Sequence, residues 1–84
     1  MSYFCYLLLC SDGSFYCGWT TNLEKRLACH NRGSGSRYTR TRRPVKLVYY
    51  AECQNRLAAM KYERKIKSLS HSQKQALVKK FNDG

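Results

Sequence analysis

Phe4-Cys5-Tyr6-Leu7-Leu8-Leu9-Cys10, then Ser11-Asp12-Gly13-Ser14, then Phe15-Tyr16-Cys17-Gly18-Trp19 is the stretch on which the fold turns. Two apolar, β-prone runs flank an Asp-Gly pair, the pair that tight hairpin turns favour because both residues tolerate positive φ. Loop length then decides which side chains share a face, since side chains alternate along a strand. A two-residue loop at Asp12-Gly13 pairs Leu9 with Tyr16 and leaves Tyr6 on the opposite face. A three-residue loop, Asp12-Gly13-Ser14, pairs Cys10 with Tyr16 and brings Tyr6 and Tyr16 to one side. The expectation is the odd-length loop or an equivalent bulge.

Outward from the hairpin, Thr21-Asn22-Leu23-Glu24 matches a capping box that opens a helix running to about Cys29 or His30. Arg26 and His30 stand four residues apart there, so their side chains share a face. Asn31-Arg32-Gly33-Ser34-Gly35-Ser36 reads as a flexible loop. Tyr38 to Arg43 is expected to stay non-helical before Pro44, which disfavours helix in the residue preceding it. Val45 and Leu47-Val48-Tyr49-Tyr50 read as a third strand. Asn55 caps a long helix with Ala59, Tyr62, Ile66 and Leu69 along one stripe. Ser70 and Gln73 form a capping box for a last helix, whose apolar face holds Leu77, Val78 and Phe81. The order strand, strand, helix, strand, helix, helix predicts an α+β fold, a small antiparallel sheet covered by helices.

Eighty-four residues fit one domain spanning 1–84, with a small core and a substrate lying across the surface. Sixteen Lys and Arg against five acids give a net charge of +11, a balance suited to a polyanion. Lys25 and Arg26 cancel Asp12 and Glu24, so the surplus lies beyond residue 30. Arg32, Arg37, Arg40, Arg42, Arg43 and Lys46 follow one another with no acid between them. Phosphate contacts from such a run release counterions and make binding salt-sensitive. The plainer account is a solvated basic face. No apolar stretch reaches the roughly 20 residues that span a bilayer, and no basic region precedes Leu7-Leu8-Leu9 as in a signal peptide. Five cysteines without a CxxC argue against a disulfide framework or a structural zinc site. They read as small buried hydrophobes.

Hydrolysis of a phosphodiester needs an activated oxygen and charge stabilisation at phosphorus. Glu63, at the edge of an apolar stripe in a basic helix, can hold one divalent ion with water completing the shell. It can equally pair with Lys67 one turn on. Arg26 has the rigid fork that pins a phosphate oxygen, or simply closes the first helix. His30 can relay a proton near neutral pH, or only cap that helix. Tyr6 and Tyr16 carry phenols that a nearby cation would help to deprotonate, although aromatic residues in small sheets are usually core. Tyr38, amid arginines, suits base stacking at about 1–3 kcal/mol.

Taken together these positions resemble the GIY-YIG nuclease domain, and in particular its small stand-alone members of the UPF0213 type, over about residues 3 to 80. Phe4-Cys5-Tyr6 stands where the family has Gly-Ile-Tyr, and Tyr16-Cys17-Gly18 where it has Tyr-Ile-Gly. Arg26 matches the family arginine, His30 a histidine common in the small members, and Glu63 the metal-binding glutamate. Trp19 stands where the repair-nuclease branch often has lysine. The resemblance implies one Mg²⁺ or Mn²⁺ at Glu63, water activated by a Tyr16 phenolate or by His30, a nucleophile oriented by Tyr6, and a phosphate held by Arg26. It also implies a three-stranded antiparallel sheet among helices. A metal-dependent endonuclease acting on DNA, branched or damaged, is therefore expected, with RNA as a further substrate. Arg37, Tyr38, Arg40, Arg42, Arg43 and Lys46 would bind the nucleic acid. A homodimer or protein partner, no membrane association, and a cytoplasmic (nucleoid) or nuclear location complete the expectation. The rival accounts are a non-catalytic nucleic-acid-binding module and a protein-interaction domain.

Overall fold

A computed structural model describes residues 2–83. The elements in chain order are β1 (Tyr3–Leu9), β2 (Phe15–Thr20), α1 (Leu23–Asn31), α2 (Arg37–Arg40), β3 (Lys46–Cys53), α3 (Arg56–Lys67) and α4 (His71–Asp83). The three strands form one antiparallel sheet in the order β2-β1-β3. The α+β architecture read from the element order is the one observed.

β1 is central, and Cys5, Tyr6, Leu7 and Leu8 are all buried. An unbroken apolar run is what a strand covered on both faces requires. On one face Tyr6 and Leu8 pack with Cys10 and Val45, and Leu23 and Leu27 of α1 cover them. On the other, Cys5, Leu7, Cys17 and Tyr49 meet Ile66 of α3, with Leu77 and Val78 of α4 alongside. The sheet therefore lies between two helical layers, and β2 and β3 are its outer strands.

The hairpin has the expected parity but a longer loop. Leu9 pairs with Phe15 and Leu8 with Tyr16, so residues 10–14 form a five-residue connection rather than the three-residue loop expected. Cys10 N–H donates to Ser14 O at 2.8 Å and Gly13 N–H to Cys10 O at 3.0 Å. Gly13 takes φ +85°, the left-handed region that costs glycine least. Asp12 Oδ1 accepts from the Ser14 N–H at 3.0 Å, an Asx turn that closes the loop inside itself. Being odd, it leaves Tyr6 and Tyr16 on the same face.

Three local expectations need correction. The cap of α1 is Asn22, whose side chain accepts from Lys25 N–H at 3.0 Å, and not Thr21. α1 continues to Asn31, so Arg26 is inside the helix and does not close it. Residues 37–40, expected to be irregular, form the short α2, capped by Ser36 accepting from Thr39 N–H at 3.1 Å. Pro44 is far enough along the chain to spare that single turn. The caps at Asn55 and at Ser70 with Gln73 are as read: Asn55 Oδ1 accepts from Ala58 N–H, and Ser70 and Gln73 bond each other's backbone N–H reciprocally.

Candidate active site

Gly18 faces Tyr6 across the β1–β2 ladder. A Cβ there would lie 2.5 Å from the Tyr6 hydroxyl oxygen and 2.7 Å from Cζ. The missing side chain lets the Tyr6 ring lie across β2 toward the outer edge of the sheet. At that edge a cleft of about 550 Å³ opens, lined by Tyr6, Tyr16, Gly18, Arg26 and Glu63 together with Tyr3, Trp19, Thr20, Thr21 and Arg56. The phenols and Arg26 come from the α1 side of the sheet and Glu63 from the α3 side. The two sides meet only because β2 is an outer strand with nothing beyond it.

Tyr6 is only 2% exposed. Its hydroxyl lies 3.0 Å from His30 Nε2, and His30 Nδ1 lies 2.8 Å from Thr39 Oγ1. Thr39 in turn donates to the Ser36 carbonyl at 3.4 Å. His30 thus bridges the Tyr6 hydroxyl and Thr39, one ring nitrogen donating and the other accepting. Gly35 is needed here too, because a Cβ would collide with the His30 imidazole. Burial pushes the Tyr6 phenol up to about 12, opposed by the adjacent Arg26 guanidinium. Burial, and secondly the charge of Arg26, holds His30 below its ordinary value. His30 is fully buried and is absent from the cleft lining. It lies behind the cleft, hydrogen-bonded to Tyr6.

Tyr16 is half-buried, its ring centroid 5.1 Å from that of His30 and 6.0 Å from that of Tyr38, nearly parallel to the latter. Arg26 Nε is shut from solvent and has no hydrogen-bond partner among the described residues. An orphaned buried donor is rare in a folded protein. Arg26 is held protonated by the Tyr6 oxygen beside it. Glu63, whose side chain is 22% exposed, has Lys67 Nζ at 3.9 Å, a loose pair worth a few tenths of a kcal/mol.

Glu63 is the only carboxylate in the cleft, and no cluster of three or more His, Cys, Asp or Glu among the described residues can hold a metal. That donor set excludes a caged structural ion. It fits a hard ion such as Mg²⁺, which keeps most of its waters and takes one or two carboxylates with substrate phosphate oxygens.

The arginines of the basic segment differ in their contacts. Arg42 donates from Nε to Asp12 Oδ2 at 3.0 Å and from Nη1 to Tyr38 O at 2.9 Å, and its Cζ lies 3.9 Å from the Tyr38 ring centre. Arg43 donates to the carbonyls of Arg40 and Asn31. These two guanidiniums fasten the loop. Arg37 and Arg40 are exposed on α2, and Arg40 and Arg43 line a separate pocket with Asn31, Thr41 and Pro44. Lys46 lies on β3, at the edge of the sheet away from the cleft.

Sequence reasoning passed over Arg56. It is the first residue of α3 and lies over the Trp19 ring, 5.6 Å from its centre. It brings a cation to the place where Trp19 has none to offer. The signal was present: Arg56 precedes Glu63 by seven residues, two helical turns, and so shares its face. Thr39, the buried partner of His30, had no such signal.

Comparison with known proteins shows the family and the fold. A family model described as the GIY-YIG catalytic domain matches residues 2–76. The UPF0213 protein YsiG of Lactococcus lactis is 51% identical over 78 residues, covering 92% of this chain and 75% of that protein. The UPF0213 protein CPE1444 of Clostridium perfringens is 51% identical over 73 residues, 87% of this chain and 78% of its own. The solution structure of protein EF2693 from E. faecalis superposes with a TM-score of 0.65 at 41% identity, covering 100% of this chain and 90% of that one. That of the UPF0213 protein BH0048 from Bacillus halodurans gives 0.59 at 39% identity, covering 94% and 84%.

Proposed function

The chain belongs to the GIY-YIG catalytic domain family, a family of nuclease domains, and we propose that it is an endonuclease hydrolysing phosphodiester bonds in DNA with one Mg²⁺ or Mn²⁺ ion at Glu63. The observation that carries this is the convergence of Tyr6, Tyr16, Arg26 and Glu63 on one open cleft of about 550 Å³. An ion held at Glu63 would supply Lewis-acid polarisation of the phosphoryl oxygens.

The protein groups divide the remaining work. Arg26, which lines the cleft, offers its guanidinium to a non-bridging phosphate oxygen, where the fork geometry suits a tetrahedral anion. Tyr6 stays a neutral donor. Burial raises its phenol and lowers the His30 imidazole, so both groups are held in their neutral forms. Its role is to orient the attacking water through its own oxygen while His30 fixes the ring. Tyr16, as its phenolate, takes the proton from the water as the water oxygen bonds to phosphorus; the P–O bond to the leaving strand breaks and solvent protonates the leaving oxygen. The substrate is DNA with a branched, nicked or flapped strand, a form that offers a single phosphodiester to a shallow cleft.

Incubation with flapped, nicked and single-stranded DNA, in Mg²⁺ or Mn²⁺, tests the proposal. Glu63→Gln should lower cleavage at least a hundredfold and leave the fold intact. Cleavage unaffected by that change would remove the metal role from Glu63.

A further inference from the structure

We propose that Lys67 and Lys74, beneath the Tyr16–Tyr38 ring pair, form a second phosphate subsite, so that one nucleic-acid strand runs along the outer edge of β2. The proposal rests on the nuclease reading and adds the path of the substrate.

Its ground is a second pocket of about 220 Å³, lined by Phe15, Tyr16, Cys17, Tyr38, Lys67 and Lys74. It shares Tyr16 with the catalytic cleft and continues it along β2, from the Trp19 end to the Phe15 end. β2 has a neighbour on one side only, so the line joining the pockets follows an uncovered strand edge. The walls come from opposite layers: Tyr38 from the short α2 and the lysines from α3 and α4. The pocket contains no carboxylate. Lys74 is half-buried, unlike the exposed Lys79 and Lys80 further along α4, and it makes no ion pair among the described residues. Lys67 has only its loose 3.9 Å contact with Glu63. Cations thus stand at both ends of the groove, Arg26 and Arg56 at one and Lys67 and Lys74 at the other, with the phenols and the single carboxylate between them. A polyphosphate chain matches that alternation, and the tethered Arg42 and Arg43 leave the outer loop less able to compete for it.

The test is an amide chemical-shift titration of the full chain with single-stranded octathymidylate, without divalent metal. Saturable shifts should appear at Phe15–Cys17, at Tyr38 and across residues 67–74, together with those at Arg26 and Arg56. In Lys67→Gln/Lys74→Gln, affinity should fall several-fold, and the dependence of log Kd on log salt should flatten by about 1.4, two contacts at roughly 0.7 each. Lys79→Gln/Lys80→Gln changes net charge equally outside the pocket and should leave the slope near the wild-type value. Shifts confined to Arg26 and Arg56, or an equal loss in the two double variants, would overturn the subsite and leave the nuclease reading standing. The absence of saturable binding anywhere would likewise overturn the subsite, while the nuclease reading is decided separately by cleavage of flapped and nicked DNA with metal.

Discussion

Among single residues, His30 carries the clearest consequence for pH. Its charged form is disfavoured in the folded protein by burial first and by Arg26 second, while in the unfolded chain it titrates near its ordinary value of about 6.5. Between those two values the unfolded chain binds the extra proton. The stabilisation is therefore complete above about 6.5 and is lost as pH falls toward the depressed folded value. Thermal unfolding should show the midpoint falling between about pH 7.5 and 5.5, and the fall should be smaller in His30→Gln. The same fall in both proteins would place the titration elsewhere. Tyr6 has the opposite sign: its phenol is raised to about 12, so its contribution is present below the ordinary value of about 10 and fades as pH rises through 12. Neither direction was legible from the sequence. His30 read equally well as a helix cap or a proton relay, because nothing in the spacing of residues 26 and 30 says that Tyr6, Thr39 and Gly35 close around the ring.

At the scale of the element, α3 joins two parts of the site. Arg56 opens it and Glu63 stands two turns later, so one rigid rod sets the distance between the Arg56 cation and the carboxylate. Its start depends on the Asn55 cap, whose Oδ1 accepts from Ala58 N–H at 2.8 Å. Asn55→Ala should cost about 1 kcal/mol, measured by chemical denaturation; a loss below about 0.3 kcal/mol would show that packing, not the cap, starts the helix. Caps were the most legible features of the chain, because a side chain bonding a backbone N–H three residues on is a local event. The cap at Asn22 instead of Thr21 and the turn of helix at 37–40 were missed for the same reason reversed. Adjacent Thr and Asn are nearly equal in local propensity, and α2 is held by packing on α1 and by Thr39 reaching His30.

Over the whole molecule, the cleft exists because the sheet is narrow. With three strands, the strand beside the central one is already an edge, and groups from both helical layers meet around it. Arg56→Ala should therefore lower single-turnover cleavage at least tenfold with little change in thermal midpoint, since Arg56 is exposed and stands over Trp19. Arg43→Ala should do the reverse, because its guanidinium is bonded to backbone carbonyls. Parallel measurement of cleavage and unfolding separates the two, and equal effects on both variants would contradict the division of the basic segment into fastening and binding arginines.

The sequence by itself determined the three strands, the three longer helices, their order and the family, because these follow from alternation, helical spacing, local capping and ordered motifs. The parity of the hairpin was an expectation that the structure decided. Only the tertiary structure decided that His30 is sealed behind Tyr6, that Arg42 and Arg43 hold the loop in place, and that Arg56 completes the cleft. Those outcomes depend on residues distant in the chain arriving at one point, on a surface whose shape is set by which strand is left at the edge.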